Sequence, residues 1–250
     1  MEREKVDQII TILLKVFFSA LFLLLCFTVI KFEAEKKPQE EINAILAEKE
    51  QKMIAKRLGR PVNRNLPDVW PPKMNKPYPS FDFLNHKGQA FSLETYKGKT
   101  IVVSYVDMSS LVSQAQAGAA VIGPFGVTTE IDKVEQTFAD IVRANAKDGF
   151  TVPHRNIIQI MVLVYAQDGA QAGVVDAERW SAHFGYNDIE NVIVAVPQQD
   201  LRDETMQDVM TGFQLIDKNQ TLRVDSSGIS PKHNVRMTLV PLLQKLASRE

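Results

Sequence analysis

Cysteine is almost missing from this chain. Its 250 residues include one, Cys26, and that one lies inside an apolar run. A single cysteine excludes an intramolecular disulfide and any cysteine-based metal site. It leaves the compartment open, because an exported protein can do without cysteine. An excess of one charge is missing too: 29 Lys and Arg stand against 30 Asp and Glu, a formal net charge of -1. A general nucleic-acid surface needs a clustered basic face, and none is present beyond a short stretch after the apolar run. The four histidines, His86, His154, His183 and His233, are scattered. They show no His-x-x-x-His or carboxylate pairing of the kind metal sites use. No Gly-Lys-Ser/Thr ending marks a phosphate loop. Neither a metal nor another cofactor is expected.

What is present is unevenly spread. Ile9 to Ile30 is a 22-residue run with Lys15 as its one charge. A membrane-spanning helix needs about 20 predominantly apolar residues. Lys15 can snorkel to the nearer interface. A cleaved signal peptide has a shorter apolar core and a small-x-small cleavage site. Ile30-Lys31-Phe32-Glu33 is a poor one, and Leu25 and Phe27 are too bulky for a lipidation site at Cys26. The expectation is a flank over 1–8 and an uncleaved transmembrane anchor over 9–30. Arg3 and Lys5 precede the run and Lys31, Lys36 and Lys37 follow it. That count slightly favours a cytoplasmic C-terminus unless Lys15 joins the N-terminal side. Glu2, Glu4 and Asp7 argue against a mitochondrial presequence, which is acid-poor.

Pro38 opens a predicted amphipathic stalk helix over 38–58. Glu40 and Glu41 fall in its first turn and Lys56 and Arg57 in its last, the order that suits the helix dipole. This helix either rests on its own domain or self-associates. A linker over 59–79 follows, holding six of the chain's 12 prolines. Such density favours extended backbone, and Trp70 gives it a way to pack along the domain.

From Ser80 to Glu250 strand and helix signals alternate. Phe81–Leu84 and Gln89–Leu93 flank a turn at Asn85-His86-Lys87-Gly88. Thr100–Val106, Asn156–Tyr165 and Asn191–Val196 read as buried strands. A helix capped at Thr128 or Thr129 is predicted to reach about Lys147. Asp176–Phe184 is a short helix, Phe213–Asp217 and Leu222–Asp225 form a second hairpin, and a helix over Asn234–Ala247 closes the chain. The alternation predicts an α/β fold, a central sheet with helices on both faces.

Phe81-Asp82-Phe83-Leu84-Asn85-His86-Lys87-Gly88, Phe91-Ser92-Leu93 and Tyr96-Lys97-Gly98-Lys99-Thr100-Ile101-Val102-Val103 together resemble the opening of thioredoxin-like redoxins. That group includes membrane-anchored thiol oxidoreductases, peroxiredoxins and SCO-type copper chaperones. Gly212 to Gln220 resembles their late strand and hairpin. The resemblance implies a thioredoxin-like mixed sheet over 80–250. It also implies a reactive cysteine pair where the strand after Thr100 meets a helix, at a position that favours thiolate. Here that place reads Asp107-Met108-Ser109-Ser110-Leu111-Val112-Ser113. Ser110 and Ser113 keep the two-residue gap, but serine forms no disulfide and is a weak nucleophile without a base. The proline expected just before the late strand is missing, the sequence reading Met210-Thr211-Gly212-Phe213, and no histidine lies near the late hairpin to serve a copper site. Ser109-Ser110-Leu111 with Gln114 and Gln116, and the Gly212–Asp217 stretch, are also similar to mitochondrial ATP synthase assembly factors, which have a cysteine-free thioredoxin-like domain.

The resemblance thus implies a fold kept with its chemistry removed. It points to a redox-inactive binding or assembly module at the bacterial inner membrane, its domain in the periplasm, docking a protein partner and no nucleic acid. The docking edge would hold Ser109, Ser110, Ser113, Gly118, Val121 and Phe125. Within it Ala115–Phe125 is small and flexible, replaces the usual helix start, and is either a docking loop or a benign insertion. Two alternatives stay open: non-thiol, serine-based chemistry using Asp107 with Ser109 or Ser110, which would need a histidine in reach, and a spacer that self-associates through 38–58.

Overall fold

The computed structural model describes residues 70–118 and 137–248. The expected anchor over 9–30, the stalk helix over 38–58, residues 59–69, Val121 and Phe125 fall outside them. Among the described residues no helix is long and apolar enough to cross a membrane.

Seven strands make one sheet: β1 Asp82–Asn85, β2 Ala90–Ser92, β3 Thr100–Asp107, β4 Ile157–Tyr165, β5 Val192–Pro197, β6 Gly212–Ile216 and β7 Leu222–Ser227. Their order is β2-β1-β5-β4-β3-β6-β7. The central three run parallel, with Val102 beside Gln159 and Gln159 beside Val192. The β1–β2 and β6–β7 hairpins join antiparallel on either side. A parallel β3–β4 pair beside an antiparallel hairpin, closed by a helix, fits a thioredoxin-like fold. Strand β4 is apolar almost throughout because both its faces are covered. Gln159 is the exception.

Among the described residues the α-helices are α1 Leu111–Ala117, α2 Phe138–Asn145, α3 Val174–Phe184 and α4 Val240–Ala247. Helices on both faces were expected; among the described residues every α-helix lies on one face, and the other carries only the 3-10 helices Leu93–Tyr96 and Glu204–Asp208. All four bury side chains against one face, meeting Val102 and Val106 of β3, Ile157, Met161 and Leu163 of β4, and Val192, Val194 and Val196 of β5. The chain steps from β3 to β4 to β5 in one direction across the sheet. Right-handed crossovers then place each connecting helix on the same side. The opposite face carries Ile101, Val103, Tyr105, Ile158, Ile160 and Val162. It is covered by Trp70, Tyr78, Phe81, Leu93 and the return segment after β5, with Leu201, Met206 and Val209.

Part of the Pro-rich stretch is therefore built into the core. Tyr78 donates its N–H to the Gln220 carbonyl at 2.7 Å, Asn75 to that of Leu222 at 2.8 Å, and Leu222 returns a bond to the Lys76 carbonyl at 3.1 Å. Extended, proline-stiffened backbone covers the start of the outer edge of β7 at Leu222, which would otherwise offer unpaired groups. Two helix starts carry side-chain caps. Thr137 caps α2, its hydroxyl accepting from the Asp140 N–H at 3.1 Å; Thr128 and Thr129 lie outside the described residues. Asn234 caps a π-helical turn, Val235–Leu239, before α4 begins. Pro241 sits in the first turn of α4, where a missing N–H costs little.

Candidate functional site

The candidate site forms where β3 turns into α1. Asp107 ends the strand with its side chain almost fully buried. Its carboxylate accepts the Ser109 N–H at 2.9 Å and the Ser109 hydroxyl at 2.7 Å. That is an Asx-turn, which bends the chain locally. Asp107 donates its own N–H to the Ser113 hydroxyl at 3.3 Å. The Ser110 hydroxyl accepts from the Ser113 N–H at 3.4 Å and caps α1. Gln114, fully buried, donates its side-chain amide to the Met108 carbonyl at 2.9 Å. The three serines thus hold the turn together, and their hydroxyls are engaged locally.

The Ala115–Phe125 stretch was expected to replace the helix start. Instead α1 begins at Leu111, and Ala115, Gln116 and Ala117 are its last residues. Gly118 closes it with φ +106, the left-handed conformation glycine adopts most easily. Gly118 lies about 12 Å along the helix axis from Ser110. Leu111 and Val112 are half-exposed beside the serines.

The second wall is Met210-Thr211-Gly212. Thr211, which directly precedes β6, has φ 60, an uncommon conformation for a β-branched residue. Its N–H donates to the Tyr105 carbonyl at 3.3 Å, and its carbonyl accepts from Gly228 at 2.9 Å. The Gly212 N–H donates to the Gln116 side chain at 3.3 Å and ties this wall to α1. Ser109, Ser110, Ser113, Gln116 and Thr211 are therefore brought to one edge. Beyond β5, the Arg202 guanidinium forks onto Asp200 at 2.8 and 2.7 Å and lies 5.9 Å from the centre of the Tyr165 ring. Burial pushes the Asp200 carboxyl up, but the Arg202 hydrogen bonds outweigh it and hold it below its usual range.

Tyr105 is positioned by a buried polar chain that sequence reading missed. The Tyr78 hydroxyl lies 3.0 Å from that of Tyr105 and donates to the Gln214 side chain at 2.6 Å. Gln214 donates to Asp225 at 3.1 Å, as do Ser227 at 2.6 Å and Lys232 at 2.9 Å. Burial raises both tyrosine hydroxyls well above their ordinary range. Burial also pushes the Asp225 carboxyl up, yet the bonds from Ser227, Lys232 and Gln214 prevail and lower it.

The histidines lie elsewhere. His154 precedes β4, His183 ends the helix leading into β5, and His86 follows β1, all toward the opposite end of the parallel strands. His233 stands beside β7. Its backbone N–H donates to the Asp225 carbonyl at 3.0 Å, and its ring accepts the Asp225 N–H at 3.3 Å. A histidine does therefore adjoin the late hairpin. Among the described residues no group of three or more His, Cys, Asp or Glu could hold a metal ion.

No protein-family model and no curated protein matches the chain. Several solved structures are similar. A putative electron transport protein from Aquifex aeolicus VF5 is 13% identical, with a TM-score of 0.44, over 71% of this chain and 100% of that one. BsSco, a member of the Sco family of cytochrome c oxidase assembly proteins, is 11% identical with a TM-score of 0.44, over 72% and 98%. A SCO1/SenC family lipoprotein from Bacillus anthracis str. Ames is 14% identical with a TM-score of 0.44, over 70% and 99%. Likeness at this level says nothing about activity.

Proposed function

We propose that this chain is a membrane-anchored binding module that docks a protein partner and carries out no thiol–disulfide exchange. Its anchor is the 9–30 run, held in the bacterial inner membrane, and its domain faces the periplasm. The observation that supports this most is the use of Ser109, Ser110 and Ser113. Where a thiol pair would react, three hydroxyls hold a turn and a helix start, and the one cysteine of the chain is Cys26. A serine nucleophile would need a base in reach, and His86, His154 and His183 lie toward the other end of the strands. Half-exposed Leu111 and Val112 supply contact surface at the same edge.

The test compares variants of the full-length protein in cells. Ser110→Ala with Ser113→Ala should leave activity largely intact. Gly118→Glu should abolish it, whereas Gly118→Asn, which tolerates the left-handed conformation, should keep it. Loss of activity from Ser110→Ala alone, with the protein folded, would instead support serine chemistry. A reporter fused at Glu250 reads the side of the membrane.

A further inference from the structure

The helical face of the sheet is not continuous. Its buried residues fall into two clusters, one under α2 and α4 and one under α1 and α3. Gln159 lies on this face between Ile157 of the first cluster and Met161 of the second. A cleft of about 470 Å³ opens at this seam. Gln159 and Val192 line it, with Phe138 and Val152 from the first cluster and Phe184 and Tyr186 from beside the second.

Three features describe what such a cleft accepts. Among the described residues its lining holds no Asp, Glu, Lys or Arg, so they offer no carboxylate, ammonium or guanidinium to a charged ligand. Gln159 is the only polar residue of β4 between Ile157 and Val164 and is half-buried; its backbone is paired in the sheet, but its side-chain amide makes no hydrogen bond to another described residue. The Tyr186 hydroxyl, by contrast, is already committed to the Ala117 carbonyl at 2.8 Å. The open polar group is thus one primary amide, with a donor and an acceptor side by side. A dry cavity of about 150 Å³ accommodates a benzene, so there is room for a ring with substituents. Small-molecule sites combine this kind of apolar lining with a few placed polar groups.

We infer that this cleft binds a small uncharged molecule with an apolar ring and one amide-type hydrogen-bonding edge, which pairs with Gln159. The cleft meets the docking edge at Gly118, which lines it, but the pairing with Gln159 does not depend on the docking reading. Benzamide is the probe, and saturation-transfer NMR on the full-length protein in nanodiscs is the measurement. Benzamide should give a saturable signal, and benzoate, equal in shape but charged, a weaker one. Gln159→Leu should weaken benzamide by about fivefold, the loss expected for one amide hydrogen bond. Ala139→Trp, which fills the cleft from its rim, should remove the signal, so the inference stays testable if the Gln159 variant does not fold. The inference is overturned by no saturable signal, by equal signals in wild type and both folded variants, or by benzoate binding as well as benzamide. It is also overturned if Val192 in the ligand-free protein shows contacts with residues 119–136, because the chain would then fill its own cleft.

Discussion

The two faces of the sheet are built by different means. One carries a single buried cluster under extended chain and 3-10 turns, without an α-helix among the described residues. The other carries every described α-helix and is divided at Gln159. Helices are rigid cylinders with fixed stripes, and short ones set side by side leave seams. Extended segments can follow the sheet residue by residue, as Trp70 does with edge-to-face ring contacts to Phe81 at 5.4 Å and to Tyr105 of β3 at 5.6 Å. The teaching is that continuous burial here depends on segments that look like linker, and that the helical layer leaves room for a site.

Substitutions can break this contrast, and their expected effects fall in order. Trp70→Ala should cost about 3–5 kcal/mol by urea denaturation, the range for a buried aromatic. A chain beginning at Ser80, lacking both Trp70 and Tyr78, should not fold. Gly212→Ala should cost about 3 kcal/mol, since a Cβ there would lie 2.3 Å from the Ser226 carbonyl oxygen and overpacking is resisted. Asp225→Asn should cost about 2 kcal/mol at neutral pH, because it weakens charge-assisted bonds. The folded Asp225 carboxyl titrates below its unfolded value. Its contribution is therefore full above about pH 4 and disappears as pH falls through the folded value. The wild type and the variant should converge in stability under acid. Ser110→Ala should cost about 1 kcal/mol, the usual loss of an N-cap. Gln159→Leu should change stability by less than about 1 kcal/mol and raise it, because an unpaired amide is replaced by apolar surface at the seam. A large loss there would mean that Gln159 holds the two clusters together.

The strands were legible because the sheet imposes a pattern on sequence: Thr100–Val106 and Asn156–Tyr165 match β3 and β4 to within a residue. The face that each helix covers was not legible, since it depends on the order in which β3, β4 and β5 are laid down. Tyr78 was hidden among prolines, and its partner Gln214, with Asp225 beyond it, lies well over 100 residues away in the chain. At the candidate site the Ser110–Ser113 spacing was read as a lost cysteine pair. The same spacing is that of a helix cap and the N–H it accepts, a signal present in the sequence. Thr211 left no signal, because β-branched residues rarely adopt a left-handed backbone. His233 reaches β7 only because the chain doubles back after Ser227.

The central claim is that the α1 edge works by contact. A photo-cross-linking residue placed at Val112 of the full-length protein in cells tests it directly, with Lys97, at the opposite end of β3, as the control. The account predicts a discrete cross-linked partner from Val112, abolished by Gly118→Glu and absent from Lys97. Equal cross-linking from both positions, or none from Val112, would contradict it.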